Sequence, residues 1–314
     1  MLRYGKGYYS ASGLDSDFLS AGRDHNPLSV VRGQGFCIKL PFMKYLLPLL
    51  LLLLQSVPIF AQQRPLVTER AETLEQGHIL LDVGAEFLQD AVFPFSGLEG
   101  DLTRAGVLGV RIGAADNVEI QFLGIVQNIL NVENRIPAPN TARLEFSGNS
   151  TSDVGDFTLA TKVRLKEKEP GWPTLAFRFG LQLPNASNEK GLGNDETNVF
   201  GSVLVQKRFG RLQILTDLGL AILGNPVVPG SQDDLFTYGL ALIYSVHPQV
   251  SLLVDVAGRA GPGDIGTEEQ STLRLGAQIQ ALGLNWDVAA FIGLRDTDPS
   301  SGVVLGISKE LEWR

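Results

Sequence analysis

The chain has 314 residues and a net charge of −8, a balance that argues against nucleic acid as a partner, since phosphate recognition needs clustered Lys and Arg. One cysteine, Cys37, excludes an intrachain disulfide framework and any thiolate metal cluster. Hydrophobic residues reach 44% while charged residues stay at 19%, and this apolar content has to be located before it can be interpreted.

Only one segment is continuously apolar. It spans 45–61, follows Met43 and Lys44, is filled with leucines, and is interrupted by Gln55, Ser56 and Pro58. Too short and too broken to span a bilayer, with the small residue Ala61 at its end, it reads as a cleaved secretory signal peptide at 43–61. Signal peptides open a chain, so Met43 is the expected start and residues 1–42 an unstructured, over-extended gene start. The mature protein then begins near Gln62, lacks cysteine altogether, and carries a periplasmic N-terminal segment at 62–74.

From residue 75 onward the hydrophobic period becomes two. Phe157, Leu159, Val163 and Leu165 alternate with Thr158, Ala160, Lys162 and Arg164. Leu175, Phe177, Phe179, Leu181 and Leu183 alternate with Thr174, Ala176, Arg178, Gly180 and Gln182. Side chains of a strand point alternately to its two faces, so each run is a strand with one bulky apolar face and one small or charged face. Twelve runs are expected, near 78–88, 102–112, 117–127, 155–166, 173–184, 197–208, 211–223, 234–246, 248–259, 270–281, 284–295 and 302–313. The sixth is ambiguous in face because Val203, Leu204 and Val205 are consecutive.

The connections between runs alternate in length. Long ones fall at 89–101, 128–154, 185–196, 224–233, 260–269 and 296–301, and short ones near 113–116, 167–172, 209–210, 247 and 283. Twelve bulky faces would overfill one interior, whereas facing lipid they need no packing partner. The expected fold is therefore all-β: a transmembrane antiparallel up-and-down barrel of about twelve strands over 75–314, in the outer membrane of a Gram-negative-type cell. Val303, Leu305, Ile307, Leu311 and Trp313 share a face of the last run. A terminal amphipathic strand of this kind resembles the signal read by the barrel-assembly machinery, an expected partner beside outer-membrane lipid and lipopolysaccharide.

No catalytic constellation is visible, and no enzyme activity is expected. His78 and His247 lie in different runs without a serine nearby, and no metal-ligand spacing, phosphate loop or dinucleotide fingerprint occurs, so no cofactor is expected. The candidate functional residues are those predicted to face the lumen: Arg111, Glu119, Asp156, Lys162, Arg164, Arg178, Asp217, Asp255, Arg274 and Asp287, with Asp82, Glu86, Gln121 and Arg259 beside them. Such charges either orient solutes and ions in a channel or pair with one another and fill it. Lys162, Arg164 and Arg178, on neighbouring strands, form the cluster with the clearest functional appearance. The long loops are acidic, and the 128–154 loop is the expected lid.

Three stretches carry a family resemblance: Gly155-Asp156-Phe157-Thr158-Leu159 with Lys162 and Arg164; Ala176 to Pro184; and Gly201 through Gln206-Lys207-Arg208-Phe209-Gly210. In this order they resemble the transporter-like outer-membrane barrels named for the meta-pathway of phenol degradation. The resemblance implies a barrel and passive uptake or binding of small solutes, aromatic or hydrophobic ones included. It brings no catalytic residue. The alternatives kept beside it are a closed structural or surface-interaction barrel and an outer-membrane hydrolase.

Overall fold

A computed structural model describes residues 64–166, 171–228 and 230–313; the signal peptide and the leader before it lie outside these residues. The strands are β1 (His78–Phe93), β2 (Leu98–Ala115), β3 (Val118–Arg135), β4 (Ser150–Asp153), β5 (Phe157–Lys166), β6 (Thr174–Leu183), β7 (Asn198–Phe209), β8 (Leu212–Gly224), β9 (Gln232–His247), β10 (Val250–Ala260), β11 (Gln270–Ala281), β12 (Leu284–Gly293) and β13 (Ser301–Glu312). Each expected run is present. Neighbours pair antiparallel in chain order, β1 pairs with β13, and the sheet closes into a barrel of twelve staves. The remaining strand, β4, pairs only with β3, nearer the loop end than the stretch joined by β5.

The alternation sorts side chains as the pattern requires. Leu220 and Leu275 are 63% and 55% exposed, while Leu204 and Leu215 are 0% exposed. The ambiguous seventh strand resolves the same way: Val203 points out and Leu204 points in. An apolar exterior this continuous is what a hydrocarbon environment asks of a barrel wall.

At one end the connections 116–117, 210–211, 248–249 and 282–283 are tight. The last places both Leu282 (φ 57°) and Gly283 (φ 70°) in the left-handed region, the signature of the hairpin turn that matches strand twist. At the other end the expected long loops are in part strand. β1, β2 and β3 have 16, 18 and 18 residues against 10 in β5 and β6. The segment 89–101, expected as a loop, continues the ladder through Ala91↔Gly100, Val92↔Glu99 and Phe93↔Leu98, and only 94–97 turns. Beyond the bilayer both faces meet water, so the two-fold hydrophobic pattern fades while backbone pairing goes on.

The 128–154 segment is likewise strand at both ends, with Asn128↔Asp153 to Asn131↔Ser150 paired. Its middle braces the β1–β2 tip, through Asn140 N–H to the Phe95 carbonyl (2.8 Å) and Ile136 N–H to the Gly97 carbonyl (2.8 Å). That tip is the part that reaches over the mouth. Phe95 packs under Gly266, and Ser96 Oγ donates to the Gly191 carbonyl at 2.8 Å. Leu98, Leu102, Leu130 and Leu192 fill the contact between the tall wall and the 184–197 loop, with Leu144 and Phe146 beside them.

Candidate functional site

The lumen is occupied by a segment of the chain itself, residues 64–76. Residues 64–76 leave the turn end of β1, where Gly77 N–H donates to the Gly113 carbonyl (3.0 Å), and run inside the barrel. A periplasmic location was expected for 62–74; its described part is an internal strap. Its backbone cannot pair with a sheet, so lumen side chains satisfy it, as buried amides require. Leu74 N–H donates to Glu119 (2.9 Å), Ala71 N–H to Gln206 (3.0 Å) and Val67 N–H to Asp255 (2.5 Å), whose other oxygen receives the Thr68 hydroxyl. Gln278 donates to the Arg64 carbonyl, and Arg274 to that of Pro65 (3.3 Å).

The charges of the strap meet the charges of the wall. Lys162 Nζ lies 3.1 Å from both Glu69 and Glu119, all three side chains being 5% exposed or less. Arg178 hydrogen-bonds Gln121 (2.8 Å) and stands 4.0 Å from Glu69. Arg111 and Arg64 flank Asp82 at 2.6 and 2.9 Å. In a low-dielectric interior each of these ions depends on its partners, so the strap and the wall neutralise one another. An apolar patch completes the grip: Leu66 packs with Leu215, Ala241, Ile243 and Leu253, and Ala71 with Ala176 and Leu204.

Two glycines explain how a chain fits in a twelve-stave lumen. A Cβ on Gly239 would collide with the Thr68 side chain, and one on Gly113 with the Glu75 carbonyl. These small inward residues leave a groove for the strap.

The strap divides the empty space. Above it, toward the loops, lies a chamber of about 610 Å³ floored by Val67 and Thr68, and a further space of about 360 Å³ lies between the strap and the β1–β6 wall. Below it, at the turn end, is a cavity of about 360 Å³ lined by Arg70, Arg208, Arg211, Gln213, His247 and neutral polar groups. Among the described residues, the cavities above and below share no lining residue.

The residues singled out from the sequence fall into four groups. Arg111, Glu119, Lys162, Arg178, Asp255 and Arg274 touch the strap or its ion pairs, joined by Asp217, which pairs with Ser202 and the Glu69 backbone. Asp287 is buried on the inner face, opposite Gln278 in register. Glu86 pairs with Arg104 at 2.9 Å, and Arg259 stands 3.9 Å from Glu268 near the mouth. The other two serve connections. Arg164 does not join Lys162 and Arg178; its guanidinium reaches the Asp116 carbonyl (2.6 Å), because it lies two residues nearer the turn end. Asp156 caps the 184–197 loop through Asn185, Ala186 and Gln182, and burial pushes its carboxyl up against the pull of those three hydrogen bonds. His78 bonds Glu310 (2.7 Å) across the β1–β13 seam, a structural contact.

Sequence reasoning missed Arg64, Thr68 and Glu69, whose segment has no strand or helix period. The available signal was indirect: buried inward charges such as Glu119 and Lys162 need partners, and the wall alone supplies too few.

No family model and no curated protein matches the sequence. Among solved structures, an outer membrane channel from Pseudomonas putida F1 is similar at a TM-score of 0.59 and 17% identity, covering 77% of this chain and 98% of that one. The KdgM porin in complex with oligogalacturonate (TM-score 0.46, 8% identity, 73% and 98% covered) and the channel DcaP of Acinetobacter baumannii (0.37, 10%, 76% and 100%) are more distant. At these identities the likeness is one of fold. The chain is a closed twelve-stranded antiparallel β-barrel, the fold it shares with that outer membrane channel.

Proposed function

We propose that this protein is an outer-membrane channel for passive passage or binding of small solutes, aromatic and hydrophobic ones included, with its bore narrowed by residues 64–76. The observation that carries the reading is the division of the lumen: cavities open toward each end, and a strap held by side-chain contacts alone separates them. A segment so placed is a constriction whose removal leaves the wall intact. Outer-membrane lipid and lipopolysaccharide would surround the apolar belt, and the barrel-assembly machinery would read β13. The resemblance to the phenol-pathway barrels and the channel-type neighbours lean the same way.

The pairing of Arg64 and Glu69 with charges of the wall favours a second reading, a closed barrel with a structural or surface role. Single-channel conductance in planar bilayers separates the two. The intact protein should show small steady openings, and deletion of residues 64–72 should enlarge them several-fold, with Arg178→Glu shifting ion selectivity toward cations. Silence from both the intact and the deleted protein, inserted and folded, would establish the closed barrel.

A further inference from the structure

The turn between β7 and β8 is basic, Lys207-Arg208-Phe209-Gly210-Arg211, and the alternation of β7 divides it between two environments. Lys207 and Phe209 point outward. Phe209 is 55% exposed, and the Lys207 ammonium lies 5.3 Å from its ring centroid and bonds the Gly171 carbonyl at 2.7 Å. Arg208 shares the inward face with Leu204 and Gln206 and stands opposite Gln213 in register. With Arg211 it lines the turn-end cavity of about 360 Å³, and both side chains are exposed.

That cavity carries charge of one sign. Among the described residues no carboxylate lines it, whereas the chamber toward the loops mixes four arginines with Asp217 and Asp298. Its inner end is Arg70, held by Gln213 (3.3 Å) and Gln278 (3.4 Å), with Glu72 as an acidic neighbour. Arg208 and Arg211 have no such arrangement: among the described residues neither has an ion pair or a side-chain hydrogen bond. At the end of β9, His247 Nδ1 accepts the Gln249 N–H (3.2 Å), which leaves Nε2 as a donor in the neutral ring. A basic hollow is the reverse of what a chain of net charge −8 would present on average.

Guanidinium groups bind oxyanions through paired, charge-assisted N–H donors. A concave surface of one sign also concentrates the opposite ion. We infer that Arg208 and Arg211 form an anion subsite at the turn-end mouth, for a compact oxyanion of two charges, a dicarboxylate or a phosphate, with His247 as a further donor. The inference rests on the channel reading only for its use, the selection of charge at that mouth. A singly charged anion leaves one arginine unanswered, and a cation is repelled.

The test is isothermal titration calorimetry of the purified chain, folded in neutral detergent at pH 8 and low salt, with succinate and with inorganic phosphate. Acetate and putrescine are the comparisons. At least one dianion should bind saturably, acetate at least tenfold more weakly, and putrescine not at all. Binding of succinate alone assigns the subsite to dicarboxylates, of phosphate alone to phosphate groups, and of both to charge rather than shape. Arg208→Gln with Arg211→Gln should abolish binding, while Arg208→Lys with Arg211→Lys keeps part of it. Lys207→Gln, which removes an equal charge from the outer face of the same turn, should leave it unchanged. Should the double Gln variant fail to fold, Arg211→Gln alone should weaken binding at least threefold. No binding of either dianion, equal binding of acetate, unchanged binding in the arginine variant that folds, or an equal loss in Lys207→Gln would overturn the subsite. Conductance of the same preparation keeps the two ideas apart. A conducting barrel that binds neither dianion loses the subsite and keeps the channel; a silent barrel that binds one keeps the subsite and loses the channel.

Discussion

The two halves of the lumen are built from one continuous wall and yet differ in kind. In the turn-end half the strap supplies partners to inward charges of the wall: Glu69 for Lys162, Arg64 for Asp82, the Thr68 hydroxyl for Asp255. In the loop-end half the wall is richer in apolar side chains, with Leu88, Leu102 and Phe291 clustered, and Arg274 bonds the strap through the Pro65 carbonyl. The difference teaches that lumen charge has no single meaning. Where the strap fills the space, charges are its anchors; toward the loops they pair with acids of the wall and loops, Arg104 with Glu86 and Arg259 with Glu268.

The contrast can be broken most forcefully at Lys162. Lys162→Met leaves Glu69 and Glu119 facing each other in a dry interior, and removal of one member of a buried ionic group costs about 3–5 kcal/mol. Urea titration of the folded barrel should show that loss, or its relief by release of the strap, read as new protease cleavage near residue 69; neither change would mean that these charges do not hold the segment. A smaller effect is expected from Gly239→Leu, which fills the groove under Thr68. Overpacking of this kind costs about 1–3 kcal/mol, and here the strap should move before the wall does. Conductance should therefore rise in the variant, and an unchanged current would show that the segment does not set the bore. The smallest change belongs to the loop end. Arg259→Gln removes a partly buried pair with Glu268 at 3.9 Å and two long hydrogen bonds to the Gly266 and Glu268 carbonyls, and urea stability should fall by about 1–2 kcal/mol. A loss comparable to that of Lys162→Met would erase the distinction between the halves.

Much of this architecture was legible before any coordinates. The period of two placed every stave, and the contrast between bulky and small faces turned the apolar side outward, as Leu220 and Leu215 show. Less was legible at the loop end, where β1–β3 rise beyond the lipid and alternation no longer reports a strand. The site was half legible. Arg111, Glu119, Lys162, Arg178 and Asp255 were read as inward from their position alone, but what they face was not, because a strap held by side chains has no periodic signature. Arg164 was assigned to the wrong company because cross-strand neighbours share a rim as well as a lumen; one repeat along a strand separates a lumen anchor from a turn brace.

The seam between β1 and β13 has a consequence for the order in which this molecule assembles. His78 pairs with Glu312 and Gln89 with Ser301, so the wall closes by joining its first stave to its last. All the other junctions are local hairpins, or nearly so, whereas this one spans the whole barrel sequence and belongs to the slow, non-local class of contacts. The strap hangs from the edge of that first stave through Gly77. It must lie on the concave side of the curling sheet when the last strand docks, or else thread back through the turn-end mouth afterwards. In the first case sealing the cylinder and enclosing the strap are a single topological event, and a chain that closes with the strap outside is a well-formed barrel with the wrong contents.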